Sequence, residues 1–86
     1  MHEIEYSDKA KKFLKKLDKH ITERILNRIE RLKQEPVPSD AKFIGRDNGE
    51  MVFRYRAGDY RALYKIKYDQ NIILVTKIDK RPRAYD

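Results

Sequence analysis

MVFRYRAGDYRALYKI, residues 51–66, reads as two strands joined by a tight turn. Gly58-Asp59 is a Gly-X pair, the chemistry of a two-residue type II′ hairpin, because only glycine takes the first position's positive φ without steric cost. Such a turn sets the register. Ala57 faces Tyr60, Arg56 faces Arg61, Tyr55 faces Ala62, Arg54 faces Leu63 and Phe53 faces Tyr64. One face then carries Phe53, Tyr55, Tyr64 and Ile66, the expected core side. The other carries Arg54, Arg56, Arg61, Lys65 and Lys67. Like charges directly opposed across two strands are destabilising by a few tenths to about 1 kcal/mol. A chain that keeps Arg56 opposite Arg61 is therefore expected to set an anion there.

Outward from the hairpin, the pattern stays strand-like on both sides. Lys42 to Arg46 reads as a short strand, and Asn48-Gly49 is a type I′ hairpin signal. A two-residue loop there places Phe43 beside Arg54, and one extra residue reverses that, so its inside and outside stay open. Downstream, a turn near residues 69–71 leads into a strand from Asn71 to Ile78. Its apolar residues fall on both parities, Ile72, Leu74 and Ile78 against Ile73 and Val75, which predicts an interior strand covered on both faces. The tail DKRPRAYD, residues 79–86, is basic, and its Pro82 stops the ladder.

The first half changes period. His2 to Tyr6 alternates and reads as a short strand. Ser7 or Asp8 then caps a helix whose stripe is Ala10, Phe13, Leu14 and Leu17, with lysines opposite. The phase breaks near His20. A second stripe follows at Ile21, Ile25, Leu26, Ile29 and Leu32 and ends before Pro36, because a residue preceding proline avoids the helical region. The short connection predicts an antiparallel helical hairpin, and residues 37–40 read as loop. The order β-α-α-β-β-β-β predicts a single two-layer α+β domain over 1–86, a helical hairpin packed on a mostly antiparallel sheet.

Composition narrows the function. Eighty-six residues leave room for one modest core, and 41% are charged against a usual figure of about 25%. With no cysteine, a disulfide framework and a thiolate metal site are both excluded, which fits a reducing interior and predicts a cytoplasmic protein. Neither a signal peptide nor a membrane-length apolar run is read in the chain, so no membrane partner is expected. The net charge of +7 is uneven: residues 1–50 hold 12 basic and 10 acidic side chains, residues 51–86 hold 9 and 4. A basic, sheet-rich half predicts a polyanionic partner, most simply nucleic acid.

No Gly-rich phosphate loop, metal-ligand spacing or cysteine nucleophile is present, so neither cofactor nor metal is expected. His2 and His20 read as surface or capping groups. Glu50 and Asp79 have no spacing that marks a site, and Asp59 reads as a turn residue. What remains is a set of arginines and tyrosines: Arg54, Arg56, Arg61, Arg81, Arg83, Tyr60, Tyr64 and Tyr85. Arginine binds phosphate bidentately and stabilises the added charge of a phosphorane-like transition state. Tyrosine stacks on a base or positions a hydroxyl near the sugar. Tyr60 and Tyr64 read as core residues, whereas Tyr85 lies beyond the last strand, where burial is harder to arrange.

These stretches together resemble the RelE/ParE superfamily of bacterial and archaeal toxins, and its RelE branch in particular. The resemblance spans the early strand, the helical hairpin with its proline-containing loop, the strand ending at Gly45, FRYRAGDYRALYKI (53–66) and KRPRAY (80–85). Arg-x-Gly-Asp-Tyr-Arg-x-x-Tyr, Arg56 to Tyr64, is its most specific part. The resemblance implies an endoribonuclease toxin that cleaves messenger RNA in the ribosomal A site and is neutralised by a RelB-like antitoxin. Its implied chemistry is metal-independent attack of a 2′-hydroxyl on the adjacent phosphate, leaving a 2′,3′-cyclic phosphate.

Matched by position, the resemblance implies that Arg61 holds the reacting phosphate, that Arg81 is a second phosphate-stabilising arginine, and that Arg54 falls on a basic catalytic position often filled by lysine. Tyr85 matches the C-terminal tyrosine that stacks on or orients the messenger. Arg56, Lys65, Lys67, Lys80 and Arg83 are the candidate RNA-binding cations. Val52 stands where the best-known bacterial member has a second catalytic lysine, and Ile44 where it has an arginine, with Arg46 a nearby substitute. Arginine is always protonated, so the group acting as general acid or base stays open. Two other functions stay open as well: ParE-like inhibition of DNA gyrase, and a non-catalytic RNA-binding or regulatory module.

Overall fold

The central hairpin forms in the register its turn dictates. In the structure, a computed structural model that describes residues 1–80, β3 (Glu50–Ala57) pairs with β4 (Tyr60–Lys67) from Ala57↔Tyr60 to Val52↔Lys65. Gly58 has φ +65° while Asp59 stays negative, as a type II′ turn requires. Arg81, Pro82, Arg83 and Tyr85 lie outside the described residues.

Around this hairpin a five-stranded sheet assembles in the order β1-β5-β4-β3-β2. β2 (Lys42–Asp47) turns into β3 through Asn48 (φ +53°) and Gly49 (φ +81°), both positive, a type I′ pair. The loop has two residues, yet Phe43 lands opposite Phe53 and not Arg54, because a bulge at Ile44 inserts the extra residue. The Phe43 and Phe53 rings meet edge-on, 5.8 Å apart. Among the described residues β1 (Glu3–Tyr6) is the one parallel strand, paired with β5 (Ile72–Lys80) from Glu3↔Ile72 to Tyr6↔Val75.

β5 runs two residues past the expected end and corrects one expectation. It is interior, between β1 and β4, but the helices cover only one of its faces. A bulge at Thr76 separates Leu63↔Lys77 from Tyr64↔Val75, so Ile78 shifts onto the side of Ile73 and Val75. Those three are buried, while Ile72 and Leu74 remain half-exposed on the opposite face. Apolar residues on both parities here record a change of parity and not a strand buried twice.

Two helices cover the other face. Ser7 caps α1 (Asp8–Lys15), accepting from Ala10 N at 3.1 Å and donating to Thr76 O at 2.8 Å. Asp18 caps α2 (Lys19–Glu30), which tightens into a 3₁₀ turn over Arg31–Lys33. α1 lies against β5 and α2 against β3, and Thr22 Oγ1 donates to Leu14 O at 3.0 Å to join the helices. The expected stripes meet the sheet: Ala10, Leu14, Ile25, Ile29 and Leu32 pack with Phe53, Tyr55, Tyr64, Ile73, Val75 and Ile78. Burying each of the larger aliphatic or aromatic side chains contributes about 1.5–3 kcal/mol. The Tyr64 hydroxyl donates to Pro36 O, tying the loop after α2 to the core. His2 is not a surface group: its backbone N–H donates to Lys33 O at 3.0 Å and its Nε2 is buried without a partner among the described residues. No helix among the described residues is long and apolar enough to cross a membrane.

The double use of Ser7 gives a test. Ser7→Ala removes both the cap and the tie to the Thr76 bulge, and unfolding in urea should show a loss of about 1–2 kcal/mol.

Candidate functional site

The sheet face away from the helices gathers the alternate residues of three strands. β3 contributes Glu50, Val52, Arg54 and Arg56; β4 contributes Arg61, Leu63, Lys65 and Lys67; β5 contributes Leu74, Lys77 and Asp79. The expected basic face is therefore a lattice of both signs. Lys67 Nζ lies 2.9 Å from Glu50 Oε2, and Lys65 Nζ lies 2.9 Å from Asp47 Oδ2 and 3.4 Å from Glu50 Oε1. The hydrogen bond from Lys67 holds the Glu50 carboxyl below its ordinary value despite some desolvation, with Lys65 adding to the effect. Lys65 is raised in turn, chiefly by its bond to Asp47. Two of the three lysines proposed for RNA binding, Lys65 and Lys67, thus already have carboxylate partners.

An anion does stand beside Arg61, on the strand away from Arg56: it is Asp79. Its Oδ1 accepts from Arg61 Nε at 2.8 Å, and its Oδ2 lies 3.6 Å from Lys77 Nζ. Alternation counted straight along β5 puts Asp79 on the core side. The Thr76 bulge brings it round to Arg61, which strand alternation alone does not show.

Arg54 and Arg56 differ from their neighbours. Neither side chain makes an ion pair or hydrogen bond among the described residues. They line an open cleft of about 380 Å³ with Arg28, Lys42 and the loop residues Ser39, Asp40 and Ala41. Arg28 reaches there from α2: Nη2 meets Asp40 Oδ2 at 2.8 Å, Nε donates to Arg56 O at 3.3 Å, and the guanidinium sits 5.3 Å from the centre of the Tyr55 ring. On the sequence Arg28 belongs to a mixed-charge helix face four residues after Arg24, a pattern indistinguishable from a solvated one.

Arg54, Arg56 and Arg61 are therefore brought together. Lys80, opposite Tyr60, lies apart from them, lining a groove with Ile21, Arg24, Ile25 and the 57–60 turn. Arg46 donates to Gly49 O at 3.1 Å, within its own hairpin, and Ile44 is half-exposed at the β2 bulge. Tyr64 is fully buried in the core as expected, whereas Tyr60 is partly buried and packs against the core, edge-on to Phe13 at 6.0 Å. Burial raises the Tyr64 phenol well above its ordinary value. Arg81, Arg83 and Tyr85, the other assigned residues, lie outside the described region.

Comparison with known proteins finds the same fold among solved structures. The family model for the ParE toxin of type II toxin–antitoxin systems matches residues 4–85. The chain is 34% identical over 83 residues to a putative toxin RelE1 of Methanocaldococcus jannaschii, covering 95% of this chain and 92% of that one. Among solved structures, an archaeal RelE–RelB complex from Pyrococcus horikoshii superposes with a TM-score of 0.81 at 27% identity, covering 95% of this chain and 97% of that one. The toxin–antitoxin complex RelBE2 of Mycobacterium tuberculosis gives 0.77 at 25% identity, with 93% and 98% covered.

The Glu50 pairings predict an acid-side weakness. A carboxyl held low in the fold stabilises it above the ordinary value of 4.5, and that contribution disappears as pH falls through the folded value. Urea midpoints measured on acidification from neutrality should fall more steeply for the wild type than for Glu50→Gln, and added salt should narrow the difference.

Proposed function

Because the chain belongs to the RelE/ParE superfamily of toxins, in its RelE branch, we propose that it is a ribosome-dependent endoribonuclease that cuts messenger RNA in the A site. One observation carries the reading: among the described residues Arg54 and Arg56 have no counter-ion beside Arg61, on a face whose other cations are paired. An arginine pair without counter-ions next to a third that keeps free N–H groups suits a phosphodiester gaining charge.

The reaction asks little covalent chemistry of the protein. The 2′-oxygen attacks the adjacent phosphorus, the bond to the 5′-oxygen breaks, and a proton passes from the 2′-hydroxyl to the leaving oxygen. Arg61 holds the reacting phosphate and takes up charge on its non-bridging oxygens. Arg54 flanks it, and as a permanent cation it acts through its field and not as a proton donor. Arg56 engages the backbone beside the reacting group. Arg81 supplies the second phosphate-stabilising cation and Tyr85 orients the messenger. The ribosome supplies strand geometry, since orientation alone is worth orders of magnitude in rate.

The partner that restrains this activity is an antitoxin of the RelB kind, the partner named in the complexes of its structural relatives. An acidic segment over Arg54 and Arg56 answers the unpaired charge there. Association should slow as salt is raised, and Arg54→Ala with Arg56→Ala should remove most of that dependence in stopped-flow binding to the product of the adjacent reading frame.

The reaction is tested by mapping messenger ends on programmed ribosomes by primer extension. Wild-type protein should cut at the A-site codon and leave the same RNA intact without ribosomes. Arg61→Ala should lower the single-turnover rate roughly a hundred- to a thousandfold, with Arg61→Lys recovering part of it. Its stability should fall by no more than about 1 kcal/mol, because the Asp79 pair it breaks is partly solvated. Normal cutting by Arg61→Ala would overturn its role, and rapid cutting of free RNA would overturn the ribosome dependence. The matched family model bears the ParE name, so gyrase inhibition is the second reading. Loss of supercoiling activity with messenger left intact would favour it.

A further inference from the structure

Asp79 holds Arg61 in an unusual way for a carboxylate. Its Oδ1 takes the guanidinium by Nε alone, at 2.8 Å, while its Oδ2 lies toward Lys77 Nζ at 3.6 Å. A fork-to-fork pair would commit an Nη group as well. Arginine has five N–H donors, and here the four on Nη1 and Nη2 have no partner among the described residues. Both side chains are 31% exposed, so the pair is set into the sheet surface with its outer end open.

We propose that Asp79 is a positioning residue that grips Arg61 by Nε and directs its Nη fork off the sheet toward the reacting phosphate. The proposal rests on the endoribonuclease reading and extends it to a residue that never touches RNA. A free arginine side chain samples many rotamers and brings its charge near the phosphate without a fixed fork. Register pairing with Asp79 across β4 and β5 narrows that choice before RNA arrives. The arrangement has a cost that makes it recognisable. Asp79 is an anion beside an RNA site, so it repels the substrate while it orients the catalyst. A residue present for affinity would carry the opposite charge. Lys77, on the other carboxylate oxygen, offsets that repulsion in part.

Affinity and rate should therefore move in opposite directions. Affinity is read with messenger bearing a 2′-deoxy residue at the cleavage position on programmed ribosomes, and rate by single turnover at saturation with ordinary messenger. Asp79→Ala should bind at least as tightly as wild type and cut more slowly by on the order of a hundredfold, the scale of a misplaced catalytic group. Asp79→Asn keeps the acceptor oxygen and loses the charge, so it should also bind tighter but cut within a few-fold of wild type. Asp79→Glu keeps the charge and moves the grip by one methylene, so its affinity should hold while its rate falls. In the Arg61→Ala background, Asp79→Ala should add no further loss.

Melting curves for each variant confine the comparison to folded protein, and Asp79→Asn and Asp79→Glu decide the matter if the alanine variant unfolds. Wild-type rate in both Asp79→Ala and Asp79→Glu, or losses at 61 and 79 that multiply, would overturn the positioning role and leave the endoribonuclease reading standing. A wild-type protein that cuts no ribosome-bound messenger would overturn that reading itself.

Discussion

A two-residue turn allows one pairing of the strands it joins, and here that constraint sorts chemistry by face. With Gly58 at φ +65°, Tyr55 and Tyr64 must point to one side and Arg56 and Arg61 to the other. Slipping the register by one residue would bury guanidinium groups under α2 and turn two phenol rings to water. Burying an unpaired charge costs several kcal/mol, so no such alternative competes. Core and site are thus two consequences of one turn, and each excludes errors in the other.

Charge on the open face follows a gradient from paired to unpaired. Lys65 and Lys67 are saturated by Asp47 and Glu50, Arg61 is held at one nitrogen by Asp79, and Arg54 and Arg56 have no partner among the described residues. Surface pairs of this exposure contribute little to stability. Their effect is to localise the attractive field. A uniformly basic sheet would draw polyanions anywhere along it, whereas pairing most of the cations leaves the pull at the β3 side, next to Arg61 and the Arg28–Asp40 cleft.

Most of this was legible in the chain because it depends on short-range rules. The helix stripes, a cap at Ser7 or Asp8, the two glycine turns and the β3–β4 register need only a few neighbouring residues to specify them. What was missed has one cause in both hairpins, a single extra residue inside a strand. The Ile44 bulge decided the facing of Phe43, and the Thr76 bulge moved Ile78 inward and Asp79 outward. Nothing in the residues at 44 and 76 marks a bulge, since each is set by fitting the strand to a partner in the sheet. Arg28 was hidden differently: its partners Asp40 and Arg56 are 12 and 28 residues away.

The parallel pairing of β1 with β5 has a consequence for how the molecule is made. Residues 3–6 can find their places only beside residues 72–75, so β1 waits for β5. Such distant pairing forms late, after the loop entropy of the intervening chain has been overcome. A nascent chain emerging from its own ribosome has its helices and central hairpin available early, but its sheet stays unclosed until β5 has cleared the exit tunnel. Topology thereby delays the finished arginine face until residues 72–80 have joined the sheet.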